Sequence, residues 1–247
     1  MAGRSQVLAD LAVPRVTESS NALAQNAYAF LLGELLEGKL QPDDWLSIVA
    51  LAEQLKCSRV PVMDAMKRLA REGFVTILPQ VGCRVAVPEP AEVHDFFSLF
   101  AAVEGCVARL AAERRTTEDI VEFKRTCLQI DRLLRAAGGP AAQDPAYRRA
   151  NVLFHSHIHR IARAPSACRI AASLWDRSDF YIKVAFGSLY FSRRVRQAHS
   201  AISRALISGD PAAAEIAVEG HLRAVGEGVS RRLGELTKRH RRLTARR

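Results

Sequence analysis

At 247 residues the chain has room for two small domains or one large one. A hydrophobic share of 49% beside 25% charged residues is globular, and no run approaches the ~18 apolar residues a membrane helix needs, so no membrane partner is expected. The net charge of +10 invites a nucleic-acid reading, but residues 231–247 hold eight Lys/Arg against Glu235 alone, so placement must carry that argument. Residues 1–20 are polar and aperiodic and read as a flexible arm; the start lacks the apolar core of a signal peptide, so a cytoplasmic protein is expected. Cysteines 57, 83, 106, 127 and 168 are widely spaced with no C-x-x-C, and read as reduced, mostly core thiols.

A first helix is predicted from about Ala22 to Glu37, with Ala29, Leu32, Leu35 and Leu36 on its core face. Leu46–Glu72 then reads as a helix-turn-helix. Ile48, Leu51, Ala52 and Leu55 form a short apolar stripe behind the cap Ser47, and Lys56-Cys57 makes a tight turn. Ser58 is expected to cap the second helix, with Pro61 in the first turn, where its missing N–H costs no helical bond. Val62, Ala65, Met66 and Leu69 fall at i, i+3, i+4 and i+7 as one apolar stripe. Arg59, Met63 and Lys67 lie four apart on another face with Val60 beside them, the face available to a DNA groove. Residues 21–88 carry seven basic and seven acidic side chains, yet Lys56, Arg59, Lys67, Arg68, Arg71 and Arg84 gather in the reading half. The β-branched runs Phe74–Leu78 and Arg84–Val87 around Gly82 predict a β-hairpin, the wing of a winged helix.

With its wing, this stretch resembles the N-terminal domain of GntR-family bacterial transcriptional regulators. The resemblance is carried by Gly38-Lys39-Leu40, Pro42, Leu46, Leu51-Ala52, Ser58-Arg59, Pro61-Val62, Ala65, Leu69, Glu72-Gly73, Pro79 and Gly82, across about residues 24–87. It implies operator contact through Arg59, the arginine after the cap serine. Members commonly carry a second arginine where this chain has Met63, and a charged residue where it has Ile48 or Val49. The expected DNA-contacting set is Ser58, Arg59, Val60, Met63, Lys67, Arg71, Gly82 and Arg84.

Pro88-Glu89-Pro90 closes this domain, and beyond it strand signals nearly vanish. Helices are expected over Glu92–Arg114, with Phe96, Leu99, Val103, Val107 and Leu110 at helical spacing, and from a Thr117 cap to Gly138-Gly139-Pro140. Asp144-Pro145 opens another to about Ala162; Ser166–Phe186 and Leu189–Ile207 follow, and Asp210-Pro211 opens a last one ending near Leu233. Six helices over residues 91–235 read as an antiparallel bundle with its own core, ahead of a basic, disordered tail at 236–247. The fold class is thus mainly α, a winged helix-turn-helix followed by an all-α bundle.

Asn151, His155 and His159 share a helix face while His157 points away, and spacing alone leaves open whether His155 or His159 would be a ligand. Asn151-x-x-Phe154-His155, His199, Ala205-x-x-Ser208-Gly209-Asp210 and Gly220-His221-Leu222, together with Glu104 and Leu110–Arg114, resemble the effector-binding domain called FCD. That resemblance implies an all-helical dimerising domain that binds a divalent metal through Asn151, His155, His199 and His221, with Asn151 in place of the usual aspartate weakening the site. Imidazoles suit zinc or nickel, and open positions would accept a ligand carboxylate. Arg177, Tyr181 and Lys183, with Tyr190 and Arg194, are candidates to hold that carboxylate. Arg177 is preferred for its bidentate grip, and His159 is a further candidate effector contact. The expected function is a homodimeric, ligand-responsive transcriptional repressor on an inverted-repeat operator, not an enzyme, with a carboxylate-bearing small molecule as effector. A metal-dependent hydrolase using the histidines, or a metal sensor, is the alternative; no Asp or Glu adjoins these histidines as a general base.

Overall fold

The computed structural model describes residues 20–79, 81–136, 146–187 and 193–244. The chain divides into two compact units: residues up to Gly33 with Trp45–Arg84, and Glu34–Asp44 with Val85 onward. The segment Glu34–Asp44 therefore belongs with the helical unit, although the sequence pattern assigns it to the winged helix.

The first unit holds α1 (Ser20–Leu36), β1 (Trp45–Leu46), α2 (Ile48–Gln54), α3 (Arg59–Arg71), β2 (Val75–Leu78) and β3 (Gly82–Val85), where α1 and β3 each reach the next unit at one end. The buried face of α1 is Ala27, Leu31 and Leu35 at strict i+4 spacing; Ala29 is exposed and Leu32 and Leu36 half-buried, so only Leu35 of the expected face holds. The α3 stripe Val62, Ala65, Met66 and Leu69 is buried as expected, together with Pro61.

Turn chemistry orients α3. Lys56 takes a positive φ of 52°, and the Lys56 and Cys57 amides donate to the Glu53 and Ala52 carbonyls, a Schellman closure made without glycine. Gly73 (φ 80°) repeats the motif after α3, with the Phe74 amide donating to the Leu69 carbonyl at 2.9 Å. Ser47 caps α2 by accepting from the Ala50 amide at 3.2 Å. Ser58 stands at the α3 N-cap in extended backbone, but its side chain makes no cap hydrogen bond, contrary to expectation.

The wing is a three-stranded sheet of order β1-β3-β2, with Trp45 opposite Arg84 and Leu46 opposite Cys83 in antiparallel register. The expected second strand begins two residues earlier than the β-branched run, at Gly82, because Cys83 is buried there. The two-residue β1 carries no periodic signal. At Gly82 (φ 147°) a Cβ would press on the Trp45 ring at 3.3 Å.

The second unit contains α4 (Pro90–Arg114), α5 (Thr117–Ala136), α6 (Ala146–Ala162), α7 (Pro165–Phe186), α8 (Arg193–Ser208) and α9 (Pro211–Thr244). The predicted Gly138-Gly139-Pro140 stop and the Asp144-Pro145 start lie outside the described residues. In α4 the buried side includes Val93, Phe96, Phe97, Phe100, Ala101, Glu104, Val107, Ala108 and Ala111, so Phe96 and Val107 of the expected face hold; Leu99 is 60% exposed, and Val103 and Leu110 are half-buried. The buried side tracks α9, where a Cβ on Gly226 would collide with Phe97, so small residues let these helices approach. Thr116, one residue before the expected cap, caps α5: it accepts from the Asp119 amide at 3.2 Å, and Asp119 reciprocates at 2.9 Å. Asp210 caps α9 by accepting from the Ala213 amide at 3.0 Å. That helix continues to Thr244, so the basic stretch 236–244 is helical and not a disordered tail. No helix among the described residues is long and apolar enough to cross a membrane.

Candidate functional site

On α3 the outward face presents Arg59, Val60, Lys67 and Arg71 exposed, with Met63 half-buried. Lys67 pairs with Asp64 at 3.3 Å, and Arg68 is engaged with Glu72 at 3.0 Å and lies 3.6 Å from the Tyr28 ring centroid. Arg59 and Arg71 make no ion pair among the described residues, which leaves two cations on this face for phosphate or base contact. Ser58 is exposed at the head of this face, and Gly82 and Arg84 sit on β3 of the wing.

In the helical unit His155 of α6, His199 of α8 and His221 of α9 come together, each offering a ring nitrogen within 4.8 Å of the others. The His155 and His221 rings are near-parallel at 6.2 Å, and His199 stands edge-on to both at 5.4 and 5.0 Å. Burial drives the His155 pKa well below the ordinary histidine value, aided by the neighbouring His199 and His221. His199 is depressed for the same reasons, and burial alone brings His221 to about 4. All three are neutral at pH 7, the form that ligates metal.

Both ring nitrogens of His155 and the Oδ1 of Asn151, one turn earlier on α6, are buried with no hydrogen-bond partner among the described residues. Orphaned polar atoms of this kind are rare in folded interiors and call for an ion or water. Nitrogens around one ion at ~2.0–2.1 Å stand about 3.4 Å apart, so small side-chain shifts close the cage. The residues fit a divalent metal held by three imidazoles and the Asn151 carbonyl oxygen.

The surroundings hold the cage in shape. Phe154 stacks on His199 at 4.5 Å with 7° between planes, and Trp175 of α7 lies over His155 at 4.3 Å. Trp175 Nε1 donates to Glu104 Oε1 at 2.6 Å, and His159 Nε2 meets the same oxygen at 2.8 Å. His159 is therefore engaged with Glu104. Neither Glu104 nor Trp175 was singled out from the sequence as a site residue. The available signal was one glutamate on an otherwise apolar helix face, since carboxylates are almost never fully buried unless paired. His157 turns to α5, with its Nδ1 2.8 Å from Thr126 Oγ1.

Among the other expected effector contacts, Arg177 and Tyr181 are engaged with each other and with α4. Arg177 is ion-paired with Glu92 of α4, and its Nε donates to Tyr181 Oη at 2.6 Å. Tyr181 is buried against Phe96, and burial pushes its phenol up to about 12. Lys183 lies over the Gly38 turn, and Tyr190 is outside the described residues. Arg194 alone of that group lines a cavity of about 300 Å³ that opens beside His221 between α6, α7, α8 and α9.

Two family models match this chain in succession. The model of bacterial regulatory proteins of the gntR family covers residues 23–85, and the FCD domain model covers residues 95–224. The chain belongs to the gntR family and carries an FCD domain. This gntR-family chain is 25% identical over 217 residues to the probable D-xylose utilization operon transcriptional repressor of Paenarthrobacter nicotinovorans, covering 87% of this chain and 91% of that one. It is 26% identical over 205 residues to the HTH-type transcriptional repressor RspR of Escherichia coli K12, covering 83% and 88%. A match of 35% over 91 residues to the Nta operon transcriptional regulator of Aminobacter aminovorans covers 37% of this chain and spans 43% of that relative's length. The chain likewise spans 62% of a regulator from Agrobacterium vitis. The fold is shared with E. coli McbR/YncC, at a TM-score of 0.64 and 20% identity over 82% of this chain and 94% of that one.

Proposed function

We propose that the chain is a ligand-responsive transcriptional repressor that binds an inverted-repeat DNA operator as a homodimer. A divalent metal, zinc or nickel, sits on His155, His199, His221 and Asn151, and a carboxylate-bearing effector binds beside it. The observation that carries this reading is the cluster of three neutral, buried imidazoles, with both His155 ring nitrogens and the Asn151 Oδ1 orphaned among the described residues, in a gntR-family chain whose α3 face carries Arg59 and Arg71 outward. When bound, the metal supplies a Lewis-acidic position that a carboxylate oxygen can fill. Arg59, Lys67 and Arg71 meet the operator, with Arg84 on the wing. Effector binding favours one arrangement of the two reading heads and so lowers operator affinity.

The test takes DNA selected by the purified protein from a random pool and titrates zinc, nickel and organic acids separately against the complex. Release by an acid only in the metal-loaded protein is the expected result. Release by metal alone makes the ion itself the signal. Failure to enrich any DNA sequence removes the regulator reading.

A further inference from the structure

Gly220 and Gly228 lie inside α9, and a Cβ built on either meets nothing within 4 Å. Neither adopts a positive φ. Glycine is the poorest helix former after proline, and these two, like Gly234 further along α9, serve no turn and no close packing; unlike Gly234, they line a cavity. Gly226 between them is the contrast, since a Cβ there would strike Phe97. The space kept by Gly220 and Gly228 is the cavity beside His221.

The chemistry of the walls is one-sided. Among the described residues, the polar side chains lining the cavity are Tyr147, Arg194 and His221, with no carboxylate, amide or aliphatic hydroxyl. Arg194 makes no ion pair among the described residues. The remaining walls are apolar, led by Ile182, Phe186 and Val195. At about 30 Å³ per water-sized group, a 300 Å³ space holds a body of roughly eight to twelve non-hydrogen atoms.

We propose that this cavity selects a ligand with one carboxylate and a compact apolar body, branched or aryl. The carboxylate faces Arg194 and His221, and the body lies along Gly220 and Gly228. This names the effector class and rests on the regulator reading above. A sugar acid would press several hydroxyls, and a dicarboxylate its second carboxylate, against Ile182, Phe186 and Val195, where the described walls offer them no partner.

The experiment follows the melting temperature of the full-length, zinc-loaded protein against phenylacetate, 4-methylpentanoate, phenylacetamide, D-gluconate and malate. The two apolar acids are expected to raise it in a concentration-dependent way. Phenylacetamide, gluconate and malate should need concentrations on the order of 100-fold higher. Gly228→Leu, which fills the cavity, should keep its zinc content and lose the response, and Arg194→Gln should weaken it. Gly228→Ala adds one methyl in open space, keeps the fold and should give an intermediate response. No response to either apolar acid, an equal or stronger response to gluconate or malate, or a full response in both Gly228 variants overturns the proposal. The same samples are assayed for binding to selected DNA. A protein that enriches DNA but prefers gluconate sinks only the ligand class, whereas one that binds phenylacetate but enriches no DNA sinks the regulator reading.

Discussion

Asn151 gives the histidine cage an oxygen without a charge. An aspartate there would add an anion of nearly the same size beside a cation, so Asn151→Asp should tighten zinc binding by about tenfold or more. His155→Ala should abolish it, and His157→Ala, whose ring faces Thr126, should leave zinc content unchanged. Metal analysis of the three variants checks the set, and loss of zinc in His157→Ala alone would reverse the assigned helix face. The metal-stripped protein should also lose stability in acid. His155, His199 and His221 are held neutral when folded but charge near pH 6.5 when unfolded, so below that pH only the unfolded chain gains protons. For His221 the loss begins near the unfolded value of 6.5, runs down to its folded value of about 4, and amounts to about 3 kcal/mol. Urea unfolding at pH 7, 6, 5 and 4 measures it, and a flat profile over that window would contradict the burial of these rings. At this scale the clustering of His155, His199 and His221 was legible because the FCD resemblance named them. Glu104 and Trp175 were not, because their hydrogen bond joins positions 71 residues apart.

At the scale of elements, α3 is the most legible part of the chain: one stripe is buried and the opposite face is charged, as its 3.6-residue period dictates. Arg59→Ala should cost roughly 1–3 kcal/mol of operator binding if the guanidinium reads a base. Met63→Arg should change the selected sequence more than the nonspecific affinity; identical selected sequences from both proteins would rule out a base-reading role for position 63. The expected faces of α1 and α4 hold only in part, at Leu35 and at Phe96 and Val107, for a common reason. Both are apolar on more than one side, so periodicity offers several stripes, and the chosen one depends on a distant partner. For α4 that partner is α9, and Gly226→Ala should destabilise the protein by about 1–3 kcal/mol, because its methyl collides with Phe97. Equal melting temperatures for wild type and Gly226→Ala would show that the helices can part without cost.

For the whole molecule, the sequence places its break at Pro88-Glu89-Pro90, whereas the first compact unit ends at Arg84 and Glu34–Asp44 groups with the second. That segment begins inside the last turn of α1, and only three-dimensional contacts attach it to the helical unit. One reading helix per chain implies two half-sites for two copies, so the protein should protect an inverted repeat and behave as a dimer in solution. Light scattering and footprinting check this together; a monomer covering a single half-site would refute it.

The cage draws His155, His199 and His221 from three helices in the second half of the chain. During synthesis the winged-helix unit is complete at Arg84, while the last ligand is made 137 residues later. At about 5–20 residues per second, roughly 7–27 s separate the two events. A nascent chain can thus fold its reading head before any three-imidazole cage exists, and ribosome-bound intermediates arrested before His221 should carry a structured head and no tightly held zinc.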